Sequence, residues 1–126
     1  MEIESLIKTI IQCAYNVRMH LATGFLEAVY QKALVIELKE KGIDAETEPP
    51  INVYYKNIVV GEFRADIIVE KKIIIELKAV QNLIPIHETQ LVNYLTATNT
   101  DHGLLINFGG ERIEIKRKFR EYKHKE

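Results

Sequence analysis

Cysteine is nearly missing from this chain. Cys13 is the only one in 126 residues, so neither a disulfide framework nor a cysteine metal cluster can form. It recurs with Ile10, Ala14 and Val17 at helical spacing, the setting of a small core residue rather than a reactive thiol. Long apolar runs are missing too, and nothing approaches the length of a membrane span. The opening stretch "MEIESLIKTI" is broken by Glu2, Glu4 and Lys8, so it does not read as a signal peptide. Internal repeats, low-complexity segments and linkers are also lacking. These absences predict a cytoplasmic protein in a reducing compartment, with no membrane partner. Charge of one sign is scarce: the net charge is −1, so global charge gives no hint of a polyanionic partner. Its distribution is uneven, however. "KRKFREYKHK" at 116–125 sets Lys116, Arg117, Lys118, Arg120, Lys123 and Lys125 against only Glu121. Such a run reads as a solvated tail or as a contact to a nucleic-acid backbone.

What is present is ordinary in amount: 47% of residues are apolar and 28% charged, as in a globular protein. The length suits one domain, residues 1–126, with a single core. Ile3, Leu6, Ile7, Ile10, Ala14, Val17 and Leu21 recur at helical spacing, predicting a helix over 3–21. "ATG" at 22–24 interrupts it, and a second helix runs from about 25 to 41, with Gly42 as its C-terminal cap. "DAETEPPINVYYK" reads as an edge strand broken at Pro49-Pro50, because proline cannot donate to a ladder. Residues 58–70 and 72–80 are two β-prone runs joined by a short turn. Pro85 leads into a third helix over about 87–98. "HGLLINF" at 102–108 is another strand, and "RIEIKRKF" at 112–119 a candidate last one. The order predicts a mixed sheet with helices packed on it, an α/β or α+β core.

The most apolar stretch, "ADIIVEKKIIIELKAV" at 65–80, also carries Asp66, Glu76 and Lys78. Charged residues are rarely buried unless something pairs them. Side chains alternate along a strand. Ile67, Val69, Ile73, Ile75 and Leu77 therefore face one helical layer, and Asp66, Ile68, Ile74, Glu76 and Lys78 the other side. A hairpin turning about Lys71 pairs 69 with 73, 68 with 74 and 66 with 76, because only that register aligns the two apolar rows. Asp66 and Glu76 would then stand about 5 Å apart, repelling by about 3 kcal/mol at an effective dielectric near 20. A divalent cation removes that repulsion, and Mg²⁺ and Mn²⁺ prefer carboxylate oxygens. Lys78, one pleat along, could orient or deprotonate a water or balance a phosphate. The competing reading is a hairpin end that emerges into solvent with three ordinary surface charges.

Two helical stretches add to the pattern. His87, Gln90 and Tyr94 share one face of the third helix, while Leu91 and Leu95 lie on another, toward the sheet. Glu27 falls in the first turn of the second helix, where the helix dipole favours an ionised carboxylate. Each alone also fits a solvated helix face or a helix-start preference.

Taken together, Asp66, Glu76-Leu77-Lys78 and Gln90-x-x-x-Tyr94 resemble the PD-(D/E)xK nuclease superfamily, in particular its RecB-like branch with a Q-x-x-x-Y helix. Gly24-x-x-Glu27-x-x-Tyr30 resembles the hallmark of the GxxExxY protein family, which is assigned to that superfamily. The similarity runs from about residue 10 to 117. One departure is the lead-in Leu21-Ala22-Thr23-Gly24, which replaces the usual L-G-P-G. The family's His-Arg pair is also not matched by Arg18-Met19-His20, so His20 is given no role.

The resemblance implies a restriction-endonuclease-like α-β-β-β-α-β core with a mixed central sheet flanked by helices. It implies that Asp66 and Glu76 bind Mg²⁺ or Mn²⁺, joined by Glu27 directly or through water. Lys78 would be the catalytic lysine, with Gln90 and Tyr94 lining the site. The reaction implied is phosphodiester hydrolysis by metal-activated water. The partner is nucleic acid, with DNA favoured, and a homodimer is one way for a single site to cut two strands. The alternatives are a catalytically silent nuclease-like module that binds nucleic acid or protein, and a purely structural domain.

Overall fold

The computed structural model describes residues 1–121. The apolar spacing of the N-terminal segment produces α1 (Ile3–His20), which buries Leu6, Ile7, Ile10, Cys13, Ala14 and Val17. Cys13 is fully buried, and burial pushes its thiol pKa up, as expected of a core residue. The second helix, α2 (Glu27–Glu40), buries Tyr30, Leu34, Val35 and Leu38 against α1 and the sheet. It ends in a Schellman arrangement. Gly42 takes φ +73°, its N–H donates to the Lys39 carbonyl at 2.9 Å, and the Ile43 N–H donates to the Leu38 carbonyl at 3.0 Å. A Cβ at Gly42 would be strained in that left-handed conformation.

The segment after Gly42 departs from the single broken edge strand that its sequence suggests. It forms two strands in different sheets, β1 (Ala45–Thr47) and β2 (Pro50–Tyr55). The long β-prone run 58–70 is divided in the same way, into β3 (Ile58–Arg64) and β4 (Ile67–Val69). The β2–β3 pair is a separate hairpin, closed by Lys56 and Asn57 with φ +49° and +65°, as a two-residue turn of primed type requires. The break between β3 and β4 has a packing reason. Ala65 is buried with Ile51, Ile74, Leu91, Leu95 and Leu105 on one face of the main sheet, whereas Ile67 is buried on the other face. A strand that ran on without interruption would put residues 65 and 67 on the same face, so the chain bends at Asp66.

The main sheet is completed by β5 (Ile73–Lys78), β6 (His102–Asn107) and β7 (Glu114–Phe119), in the order β1-β4-β5-β6-β7. Only β5 and β6 run parallel, and α3 (Pro85–Thr98) connects them. With the β2–β3 hairpin set aside as an insertion, α2-β1-β4-β5-α3-β6 reads α-β-β-β-α-β. The predicted register holds: Val69 faces Ile73, Ile68 faces Ile74 and Ile67 faces Ile75. Helices α1 and α2 cover the face carrying Ile67, Val69, Ile73, Ile75 and Leu77, and α3 covers Ile74 and Leu105 through Leu91 and Leu95. Each fully buried Ile or Leu of β5 contributes about 1.5–3 kcal/mol, so β5 is the most firmly held element near the charged rim.

The exit of β5 is locked by Asn107, fully buried at the end of β6. Its Oδ1 accepts from the Val80 and Gly109 N–H groups, both at 3.0 Å. Its Nδ2 donates to the Val80 carbonyl and to Glu114 Oε1. Gly109 passes so close that a Cβ there would lie 2.4 Å from the Ala79 carbonyl carbon and the Val80 nitrogen. Lys78 therefore sits at the end of a strand with a fixed exit.

The basic run is not a free tail where the structure describes it. Residues 114–119 form β7, and Arg117, Lys118 and Arg120 pair with Glu4, Glu88 and Asp101. Lys116 stays exposed. Lys123 and Lys125 lie outside the described residues. Among the described residues no helix is long and apolar enough to cross a membrane.

Candidate metal centre

The bend at Asp66 is the origin of the site. Its carbonyl accepts two hydrogen bonds, from the Glu48 N–H at 3.1 Å and from Gln31 Nε2 at 2.8 Å. Its carboxylate Oδ2 accepts from the Leu77 N–H at 2.7 Å. The main chain of Asp66 is thereby tied to the residue after β1 and to α2, and its side chain to β5. Glu76 lies beside Leu77 on β5, facing the Asp66 carboxylate.

Glu76 shows what that juxtaposition does. Its carboxyl pKa is pushed up from an ordinary 4.5 to about 9. Burial is the main cause, followed by repulsion from Asp66 and a proton-sharing contact between the two carboxyls, with Lys78 opposing. Two negative charges this close cannot both persist in a low-dielectric setting. The repulsion anticipated from sequence is thus relieved by a proton: at neutral pH, without a cation, Glu76 is protonated. Its Oε1 is buried and has no hydrogen-bond partner among the described residues. An unsatisfied buried oxygen is costly, and it is an available ligand.

Glu27 enters from the first position of α2. Although its side chain reaches solvent, partial burial raises its pKa. Asp66 raises it further, while Lys78 and His87 lower it. A small cavity of about 140 Å³ lies between Glu27, Ala28, Gln31, Glu48, Asp66 and Leu77. Tyr94, on α3, has its phenol raised by burial and by the charges of Glu76 and Asp66. Its ring stacks on Phe63 of β3, with centroids 3.6 Å apart.

Five of the six residues singled out in the sequence, Asp66, Glu76, Lys78, Glu27 and Tyr94, thus share one electrostatic neighbourhood. Gln90, uncharged, is exposed on α3, one turn before Tyr94. Among the described residues no three His, Cys, Asp or Glu side chains form a group that could hold a metal ion. The oxygen-only pair nevertheless suits Mg²⁺ or Mn²⁺, because Mg²⁺ in particular keeps several waters and takes only one or two protein carboxylates. The orphaned Glu76 Oε1 is the observation that fits them.

Sequence reasoning missed Gln31, Glu48 and the part played by His87. Gln31 follows Glu27 by four residues and so shares its helix face, a signal that was there to use. Glu48 reaches the cavity only because β1 pairs with β4, which no local pattern shows. His87 Nδ1 accepts from the Ile84 N–H at 3.2 Å.

The Gly24-x-x-Glu27-x-x-Tyr30 spacing has a structural meaning. Gly24 takes φ +106°. The Tyr30 hydroxyl donates to the Ala22 carbonyl at 2.6 Å and accepts from the Phe25 N–H at 3.3 Å, and its ring stacks on Phe108 at 4.8 Å. Tyr30 thus pins the turn that presents Glu27. Tyr30→Phe is expected to destabilise the protein by about 1–2 kcal/mol in urea unfolding, because a buried donor and acceptor lose their partner. An unchanged midpoint would show that the turn is held by other contacts.

The mixed sheet with helices on both faces is a restriction-endonuclease-like fold, and a solved structure shares it. That structure, "Crystal structure of SSO0001", aligns with a TM-score of 0.59 at 24% identity, over 77% of this chain and 52% of its own. The chain therefore spans about half the length of that neighbour. No curated protein matches the chain. The sequence matches the PD-(D/E)XK nuclease superfamily over residues 4–118. That match takes in the Asp66 bend, the Glu76-Leu77-Lys78 end of β5 and all of α3, and the chain belongs to the PD-(D/E)XK nuclease superfamily.

Proposed function

We propose that the protein is a divalent-metal-dependent nuclease of the GxxExxY type, hydrolysing phosphodiester bonds most readily in DNA. The observation that carries this reading is the Asp66–Glu76 pair: two carboxyls held face to face, one forced to keep a proton, with a buried oxygen left without a partner. A pair that is unfavourable by itself and suited to a hard cation is the arrangement expected of a ligand set.

Asp66 and Glu76 would hold Mg²⁺ or Mn²⁺ through their oxygens. Bound there, such an ion supplies Lewis-acid polarisation and acidifies water. Lys78, two residues past Glu76, is assigned to orient the attacking water and to offset phosphate charge. Glu27, outside the pair, is assigned to accept a hydrogen bond from that water. Tyr94 and the exposed Gln90 are assigned to the nucleotide on the α3 side. Gln31 acts through Asp66, whose carbonyl it holds, and is a positioning residue.

The test is a panel of single- and double-stranded DNA and RNA incubated with purified protein in Mg²⁺, Mn²⁺ or EDTA. Cleavage is expected with metal, strongest on DNA, and lost in EDTA and in Asp66→Ala. Cleavage that persists in Asp66→Ala, after contaminating nuclease is excluded, would overturn the assignment.

A further inference from the structure

Tyr94 has two sides. One feels the charges of Glu76 and Asp66. The other forms part of a second cleft, of about 640 Å³, lined by Val53, Tyr54, Asn93, Tyr94, Asn99 and Arg120 among others. That volume lies within the roughly 300–1,000 Å³ of small-molecule sites. The cleft runs between the inserted β2–β3 hairpin and the C-terminal half of α3, and its walls are chemically mixed. Tyr54 is a large aromatic ring left 61% exposed. Asn93 is an exposed amide on α3. Asn99 takes a left-handed conformation at the end of the helix, and its Oδ1 accepts from Arg120 Nη1 at 3.0 Å. Arg120 also pairs with Asp101 at 2.8 Å, and Glu121 adds a second carboxylate at the rim.

This balance of charge makes the cleft a poor phosphate site. Aromatic rings beside amides that offer both donors and acceptors suit a flat heterocycle instead. Its face can stack and its edge can be hydrogen-bonded, as unpaired bases are recognised. Tyr94 links the cleft to the Asp66 bend through Phe63, on which its ring stacks and which lies three residues before Asp66. Tyr54 stands opposite Val59, nearer the hairpin turn, so an occupant stacked on it belongs to the strand being cut but not to the phosphodiester itself. We propose that the cleft holds an unpaired nucleobase of the substrate strand, stacked on Tyr54 and read by Asn93, so that the preferred substrate has an unpaired nucleotide on the α3 side of the scissile phosphate, away from the cut itself. This rests on the nuclease reading, since it identifies the cleft's occupant as part of that substrate.

The experiment is equilibrium binding in EDTA, where no hydrolysis occurs. The probes are a DNA single strand carrying one fluorescent purine analogue, its RNA counterpart, and the fully paired duplex of the same sequence. Stacking is expected to quench the analogue when the single strand binds. Tyr54→Ala should weaken single-strand binding about tenfold, the size expected for loss of one stacked base, and abolish the quench. Tyr54→Phe should retain both, and Asn93→Ala should weaken binding without abolishing the quench. Duplex binding should be the same in all four proteins. Quenching of the RNA strand alone would assign the cleft to RNA and overturn the DNA assignment.

Three results would overturn the proposal outright. These are no single-strand binding, an unchanged quench in Tyr54→Ala, or an equal loss of duplex binding. The two readings separate cleanly. A quench that depends on Tyr54, with no metal-dependent cleavage of any strand, keeps the cleft and removes the nuclease. Metal-dependent cleavage with binding indifferent to Tyr54 does the reverse.

Discussion

Glu76→Gln is expected to slow metal-dependent cleavage about a thousandfold or more, with folding retained. The substitution keeps the size and shape of the side chain, so the packing of Ile75 and Leu77 on either side has no reason to change. It exchanges a ligand oxygen that can carry full negative charge for a neutral amide. A hard cation held by only two carboxylates loses half of its charged protein ligands in that exchange. Lys78→Ala is expected to lower turnover by about 10²–10⁴, the range for a positioned proton-transfer group. It should leave metal affinity less affected, because Lys78 is not a ligand. Retention of most activity in Glu76→Gln, measured at saturating metal, would remove Glu76 from the reaction.

The second large effect is on stability and needs no substrate. Glu76 has a folded-state pKa of about 9 against an ordinary 4.5. Between those two values the folded state holds a proton that the unfolded chain has released. A group whose pKa is raised on folding favours the fold fully at low pH, and its contribution is lost as pH rises toward the folded value. The metal-free protein should therefore lose stability from about pH 5 to about pH 9, with a slope from this group of at most about 1.4 kcal/mol per pH unit. Glu27, raised for the same main reason, contributes with the same sign. Glu76→Gln removes the larger titration, so it should be flatter across this window and more stable than the wild type at its alkaline end. The check is urea unfolding in EDTA at several pH values for both proteins. Parallel curves would show that Glu76 titrates in the ordinary carboxylate range.

How much of this was legible beforehand depended on the distance over which the information acts. The helices α1 and α2 and the β4–β5 register were readable because they follow from apolar spacing within a few residues. Ile67, Val69, Ile73, Ile75 and Leu77 can all be buried together in only one register. The approach of Asp66 to Glu76 was readable from that register, although Asp66 leaves the ladder at the bend and its carboxylate reaches β5 through the Leu77 N–H. What could not be read was long-range. Residues 45–47 pair with 67–69 rather than continuing into 50–55, and propensity is equally satisfied by one strand or two. The bend at Ala65-Asp66 exists because Ala65 is taken up by α3 and Ile67 by α1 and α2, a competition between faces that appears only once the helices are placed. Glu48 and Gln31 belong to the Asp66 environment for that reason. The protonation of Glu76 was also hidden, because spacing gives the repulsion between two carboxylates but not the burial that decides which one keeps a proton.

On the proposed reading, Asp66 and Glu76 are a ligand pair whose shared proton stands where a cation would bind. The most direct measurement is calorimetric titration of the protein with Mg²⁺ or Mn²⁺ near pH 7, repeated in buffers of different ionisation enthalpy so that released protons are counted. Metal ligands must be deprotonated, so binding releases the protons they hold. The expected result is about one proton released per cation in the wild type, with binding and release both largely lost in Glu76→Gln. Cation binding without proton release, or with the same release in Glu76→Gln, would contradict the account.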